Sequence, residues 1–489
     1  MTVAQGINKI TAIKKQIGLG IPATTNPIGT GTGYTTSIAG FPIGSTTIAI
    51  ITGTGTVLAG DAVTFAGDTT VYRVYTGAAG AGNIVLEGTG LKVAIPAAAT
   101  AMVIKTALFG AQILRRKTSI GSLKRATYTN DEIVNHQQSN GVNLGTASTD
   151  WQFDGLLSPG TYGAPMEAIL RKNFTPVVGL TGLTLSITGT APLFTVTRST
   201  GSYLTDGIKI GDVVRITAGA FANAVNRDNN LLVTTVTALA ITVITVNNSV
   251  LIAEAGIAAS SITVMGKKSL PPITGHTDTL FTVEEWYNDL SKSELFPDIR
   301  IGQMDIGLPA SGNSTIKLSS MGLGIRTRGT AQVYASPNSS TTSPVLTSVR
   351  GSLIVNGTKT LICTGGSISI KANLSAEGPV VGSNYAPDMS RGRLEVTGSF
   401  TALFDSTTFQ ALFEAETLTT FVIAMAADTT NNADFISFSL SNIKLTGDDP
   451  DDGEKAIIRT YPFTAQINGL GGPFLANDQT ILSIQDSLA

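Results

Sequence analysis

Two passages of this chain match at a constant spacing, and that duplication limits the folds open to it more than any other feature. Trp151–Leu170 reads WQFDGLLSPGTYGAPMEAIL and Leu394–Phe413 reads LEVTGSFTALFDSTTFQALF. Gly155 and Gly398, Met166 and Phe409, and Leu170 and Phe413 are all 243 positions apart, with no gap. Each passage opens with apolar residues at every second position, the pattern of a half-buried strand, and closes with the i, i+3, i+4 spacing of a helix packed on a sheet. Met166, Ile169, Leu170 and Phe174 share a face in the first helix, as do Phe409, Leu412 and Phe413 in the second. Pro165 suits a first helical turn, and Asp405 or Ser406 is expected to cap the second helix.

A second shared element follows each helix. Ile299–Ile306 with Thr315–Leu318, and Phe438–Leu445 with Ala456–Ile458, each read as a β-hairpin. The helix-to-hairpin interval is 134 residues in the first copy (Leu170 to Met304) and 30 in the second (Phe413 to Ile443). The excess of 104 residues predicts an insertion in the first copy, and a Thr/Val/Ile-rich block at 181–268 lies inside it. A similar block occupies 29–106. Gly60-Asp61 and Gly211-Asp212 each lead into an alternating strand, which predicts two small β-barrels or sandwiches of five or six strands. Tight turns account for both Gly-Asp pairs better than ligand loops do. The expected organisation is an irregular N-terminal arm (1–28), a β module (29–106), a framework domain (107–330) interrupted by the second β module (181–268), and a second framework domain (331–489). Polar stretches at 122–148 and 375–391 read as long loops projecting from the sheets, and 336–343 as a linker. The fold class is mainly β.

Charged residues make up only 13% of the chain, against 42% apolar, and the formal net charge is −2. So few charges suggest surface hidden in contacts with other subunits. No sustained basic run is present, which argues against tight nucleic-acid binding. The single cysteine, Cys363, excludes an intramolecular disulfide framework and a cysteine-based zinc site, and fits a reducing compartment. Residues 1–28 have no apolar run of signal-peptide length, and no apolar stretch is long enough for a membrane span.

The search for reactive chemistry yields little. His136 and His276 lie in polar segments near Glu132 and Asp278, and a lone His–carboxylate pair is a poor metal site. Gly29-Thr-Gly31-Thr-Gly33 has no helix after it, so it does not read as a nucleotide loop. Asp448-Asp449-Pro-Asp451-Asp452-Gly-Glu454 is rich enough in carboxylates for calcium. It lacks the spacing of a calcium loop and reads better as a solvated hairpin tip, or as a contact to a neighbouring subunit. Arg115, Arg116 and Lys117, with Lys124 and Arg125, form the one basic concentration. Arg115 and Lys117 are expected on one strand face and Arg116 on the other, forming a salt-bridge surface between subunits. No catalytic, cofactor-binding or metal-binding residues are assigned, and the chain does not read as an enzyme.

The strand-to-helix passages, the polar stretch before each, and the pattern Ile301-x-x-Met304-x-Ile306 … Ile316-x-Leu318 resemble the major tail tube proteins of long-tailed bacteriophages, as does the C-terminal NDQTILSI. The resemblance covers roughly 107–175 and 280–489. It implies two tail-tube-like sandwich/barrel domains, each flanked by a short helix, with the two β modules as accessories. It further implies subunits closing into rings whose strands form a continuous inner barrel. Those rings stack into a hollow tube through which the genome passes to the host. A chain with two copies is expected to build a pseudo-sixfold ring from three subunits. Expected partners are other copies of itself and the tape measure, tail terminator and distal tail proteins, with DNA passing through a neutral-to-acidic lumen without specific binding. Assembly is expected in the host cytoplasm, with 122–148 and 375–391 making contacts between rings, assisted by the N-terminal arm. The alternatives are a surface-exposed adhesive or carbohydrate-binding β protein, or another virion structural protein such as a capsid subunit. The first predicts clustered exposed aromatics, and this chain has two Trp and 6% aromatic residues.

Overall fold

A computed structural model describes residues 4–16, 18–20, 22–23, 31–58, 61–68, 70, 72–86, 90–105, 111–133, 135, 138, 141–334, 342–360, 362–451 and 456–489. The chain is mainly β, as its alternating apolar positions predict. Two small closed barrels flank a large framework of paired strands. Among the described residues no helix is long and apolar enough to cross a membrane.

Framework strands are numbered here without those of the barrels and short bridges. The first half comprises β1 (Lys9–Lys15), β2 (Arg116–Thr129), β3 (Val142–Leu156), α1 (Gly163–Leu170), β4 (Phe281–Tyr287), β5 (Lys292–Leu308) and β6 (Thr315–Gly322). The second comprises β7 (Gly351–Val355), β8 (Cys363–Lys371), β9 (Glu395–Leu403), α2 (Thr408–Glu414), β10 (Thr419–Ala426), β11 (Phe435–Leu445) and β12 (Ile458–Ala465), followed by β13 (Ser483–Asp486). In the first half β1 pairs with β4 and β4 with β5; β2 pairs with β3, β3 with β6 and β6 with β5. In the second half β7 pairs with β10 and β10 with β11; β8 pairs with β9, β9 with β12 and β12 with β11. The pairing order is the same in both halves. Both long strands, β5 and β11, carry a register shift where they pass from one set of partners to the other, at Ile301/Gln303 and near Ser441–Asn442. Such a bulge bends a strand and lets it serve two sheets.

The halves are joined by direct pairing of β5 with β8, from Gln303–Lys371 to Leu308–Gly366. Beneath that seam one apolar core serves both halves. It contains Trp151, Phe153, Met304, Ile306, Ile316 and Leu318 with Ile368, Ile370, Phe400, Tyr461 and Phe463. Met166, Ile169 and Leu170 of α1 are fully buried in it, while Phe409, Leu412 and Phe413 of α2 pack on it only partly covered. At the far side of the first half a polar network is closed: Trp151 Nε1 donates to Ser119 Oγ (3.0 Å), Ser119 Oγ donates to Glu285 (2.8 Å), and Glu285 pairs with Lys9 (2.7 Å).

Both barrels interrupt the first half. The first spans Thr32–Thr36 to Ala101–Lys105, between β1 and β2, and its apolar cluster holds only its own residues. The second spans Gly179–Thr190 to Glu254–Val264, between α1 and β4. It docks on the second half: Val213, Leu232 and Ile244 pack with Ile354, Val422, Ala424 and Phe435.

Several local expectations need correction. Residues 1–28 are not an irregular arm throughout, because β1 completes a framework sheet. Residues 122–148 are mostly strand, since β2 and β3 form a long hairpin, with polar residues on both faces where it runs past the core. Residues 375–391 do not simply project. Leu374–Ala376 pairs with Met389–Arg391, and Ala386 and Met389 fold back against Leu280 and Leu323 of the first half. Neither Asp405 nor Ser406 caps α2; the N-cap is Thr407, with no side-chain cap bond. Most of the 336–343 linker lies outside the described residues.

The repeated glycines have a steric cause. A Cβ on Gly155 would lie 2.4 Å from Arg115 O, and one on Gly398 2.3 Å from Ser367 O. In each case the obstacle is the backbone of the neighbouring strand, which cannot move aside cheaply. Gly398→Ala is therefore expected to cost roughly 1–3 kcal/mol, whereas Ser399→Ala, one residue along on the polar face, stays within about 0.5 kcal/mol. Thermal denaturation of both variants tests this, and equal melting temperatures would contradict the packing argument.

Candidate functional site: a polar sheet face and two open edges

The strands β2-β3-β6-β5-β8-β9-β12-β11 run side by side across both halves. Their apolar residues line the shared core, so alternation puts the intervening residues on the opposite face. That face carries Lys124, Asp150, Asp154, Lys317, Asp305, Lys371, Glu395 and Lys444 among Gln, Ser and Thr. Its four lysines and four carboxylates cancel and are interleaved. Lys124 pairs with Asp150 at 2.7 Å. Lys371 stands opposite Glu395, and Lys317 is in register with both Asp154 and Asp305. Across the seam between halves, Ser369 Oγ donates to Asp305 (2.6 Å), a carboxylate that also accepts from Gln303 Nε2 of its own strand (2.9 Å). Lys444 pairs with Glu416. Among the described residues, Ile120 (61%) and Leu403 (38%) are exposed apolar residues on it.

The ends of this array are strand edges. Among the described residues β2 pairs with one strand, β3. On its other side are side chains: Lys9 Nζ donates to Ser119 O (2.6 Å), and Arg116 donates to the carbonyls of Gly6 and Lys9. At the opposite end β10 accompanies β11 only as far as Ile443. In β5 the stretch equivalent to that following Ile443 is where β8 pairs.

Of the residues singled out from sequence, His136 lies outside the described residues and Glu132 hydrogen-bonds locally with Asn130. Asp278 pairs with Arg300 (2.6 Å) and Arg391 (3.1 Å) rather than with a histidine. The acidic turn is not uniformly solvated: Asp448 points inward to Arg459 (2.5 Å) and Gln410 (3.1 Å), whereas Asp449 and Asp451 are exposed and 452–455 lie outside the described residues. In the basic stretch a register shift at Lys117 breaks the expected alternation, and Arg116 is used within the chain. Asp61 and Asp212 accept the backbone N–H of Leu58 (2.7 Å) and Lys209 (2.8 Å), three residues back, as turn residues do.

Sequence reasoning missed the charges under the second barrel. Lys268 is buried between Asp212 (2.6 Å) and Asp478. Burial opposes its charge, but the two carboxylates outweigh burial and hold the ammonium above the ordinary lysine range. Lys209 Nζ donates to the carbonyls of Gly472, Pro473 (2.9 Å) and Leu475, and Gln485 Nε2 donates to Val213 O (2.9 Å) and Met265 O (2.7 Å). These contacts fasten the barrel to the C-terminal segment. Apart from Lys268 and Asp212, the partners lie more than 200 residues apart, so no local pattern announces them.

A family model described as phage tail tube protein matches residues 96–465. No curated protein matches the chain.

Asp486 of β13 accepts N–H bonds from Gly160 (2.8 Å) and Leu488 (2.9 Å) beside the barrel's base. Burial pushes its carboxyl up to about 6, against those two bonds, which favour the charged form. Because the folded-state value is raised, the native state binds the proton more tightly than the unfolded chain does. The stability from this group is complete below about pH 4 and is lost as pH rises through 6, a change of roughly 3 kcal/mol. Asp486→Asn removes the titration. The melting temperature of the wild type relative to this variant should fall between pH 4.5 and 7.5; a constant difference would show that Asp486 is ordinary.

Proposed function

The chain belongs to the phage tail tube protein family, and we propose that it builds the hollow tail tube from rings of three subunits, each chain supplying two of six tube units. Membership makes it a tail component of the virion, and self-assembly with other tail proteins goes with that role. The observation that carries the finer reading is the β5–β8 seam. One half already pairs its long strand with the hairpin of the other, and each chain retains the two edges needed to repeat that seam with a neighbour. Unpaired edges invite pairing, and closure removes them.

The internal seam supplies a register for the external one. β11 matches β5 at an offset of 139, so Asp305 corresponds to Lys444. Ser369 of β8 faces Thr397, whose counterpart at an offset of 243 is Asp154, and Asp154 faces Thr118 of β2. Asp305 faces Ser369 within the chain. Lys444 of one subunit therefore faces Thr118 of the next.

The polar face lines the bore on this reading. Its charges cancel locally, so a passing phosphate backbone meets no field of free cations to release its counterions. The β2–β3 hairpin carries exposed Tyr128, Val142 and Leu144 towards its end and is the contact to the adjoining ring. Of the second stretch, only the exposed part around Val380 and Val381 remains available for that role. Tape measure, terminator and distal tail proteins cap and fill the tube, which assembles in the host cytoplasm.

Imaging of purified tubes, with symmetry tested before it is imposed, should give three chains per ring; six chains per ring would refute the reading. The register has its own test. In a Cys363→Ala background, Thr118→Cys with Lys444→Cys should oxidise to covalent dimers and trimers and stop at the trimer. Absence of interchain disulfide from well-formed tubes would overturn the register alone.

A further inference from the structure

A cavity of about 190 Å³ opens where three segments meet: the C-terminal end of α1, the chain at Pro271–His276, and residues 391–394 before β9. Its polar lining is Arg171, His276, Arg391 and Arg393, and no carboxylate lines it. Apolar walls come from Ile169, Leu170 and Leu394. Asp278 pairs with Arg391 and is shared with Arg300. Arg171 donates to Thr277 O (3.4 Å), and among the described residues neither it nor Arg393 has an ion pair.

The Arg391 side chain is only 5% exposed, Nη1 donates to Ala168 O (2.9 Å), and Nε is buried with no hydrogen-bond partner among the described residues. A buried guanidinium N–H without an acceptor is costly. Burial, with repulsion from Arg300 and Arg171, pulls its pKa down to about 10 against the pull of Asp278. The bond to Ala168 O also screens the carbonyl end of α1, which otherwise disfavours an anion.

We infer that this cavity is a binding site for one oxyanion group of the phosphate class, held between Arg171, Arg391 and Arg393. Guanidinium forks match tetrahedral and carboxylate oxyanions in geometry as well as charge. The volume is below that of ordinary cofactor pockets, which admits a single oxyanion with water and excludes a nucleotide. The lining comes from both halves, so the bound anion ties α1 of the first half to the segment leading into β9 of the second.

The test uses the full chain and inorganic phosphate. Differential scanning fluorimetry at pH 7 should show a rise in melting temperature with millimolar phosphate that exceeds the rise in sodium chloride of equal ionic strength. Arg393→Gln, at an exposed position, should weaken the phosphate response at least tenfold in midpoint while leaving the phosphate-free melting temperature unchanged, and Arg171→Gln should weaken the phosphate response by a similar factor. Isothermal titration calorimetry of the wild type provides a readout independent of stability. A phosphate response no larger than that of chloride, or one that persists undiminished in both variants, overturns the proposal. Neither result touches ring assembly, which this inference does not assume.

Discussion

The pairing of β5 with β8 is the constraint on which the rest of the framework depends. It joins two arrays that each have two edges into one array with two, and it places Met304 and Ile306 beside Ile368 and Ile370 over a shared core. Above the seam, Asp305 accepts from Gln303 and Ser369, so the polar face is hydrogen-bonded where the halves meet. An isolated half would leave both that strand edge and one flank of the core uncovered, which is a liability in water. The halves therefore stabilise one another as a cut sheet does when it is rejoined, rather than as two independent domains touching.

The barrels follow from the same plan. Both interrupt connections that are short in the second half: β7 runs to β8 from Val355 to Cys363, and α2 to β10 from Glu414 to Thr419. Connections on the surface tolerate insertions because their backbone is not committed to the core. The two insertions differ in attachment. The first barrel keeps its apolar cluster to itself, whereas the second presses Val213, Leu232 and Ile244 onto Ile354 and Val422 and anchors Lys268 between Asp212 and Asp478. The second barrel thus braces the half into which it was not inserted.

The parts of this fold legible in the sequence are those set by local physics. The Gly155/Gly398 pair was readable because both meet a neighbouring backbone carbonyl that excludes a Cβ. The alternation of Ile301, Met304 and Ile306, and the helical spacing of Met166, Ile169 and Leu170, were readable because each marks one buried face. The β2–β3 hairpin read as a loop because its outer residues bury nothing, so hydrophobic periodicity vanishes although the backbone remains paired. β1 escaped notice because seven residues, three of them lysines, are separated from their partner β4 by more than 260 positions. The fold-back of Ala386 and Met389, and the arginine-lined cavity, depend on contacts between halves that no window of sequence contains.

The balanced face has a consequence for how a tube of such units would work. Low net charge could be achieved with no charges at all, and the buried face already opposes single-residue slips, which would turn its apolar side chains outward; a slip of two residues keeps every side chain on its own face, and there a face of Ser and Thr alone would add little. Interleaved lysines and carboxylates meet both demands. Lys371 opposite Glu395, and Lys317 between Asp154 and Asp305, penalise a slipped register because like charges directly opposite are destabilising. Lys124 is spent on Asp150 and Lys444 on Glu416, and Lys317 and Lys371 stand in register with carboxylates, which lowers the field offered to a mobile polyanion. On the tube reading, the pairing that holds the wall in register is the same pairing that keeps the wall from holding the genome.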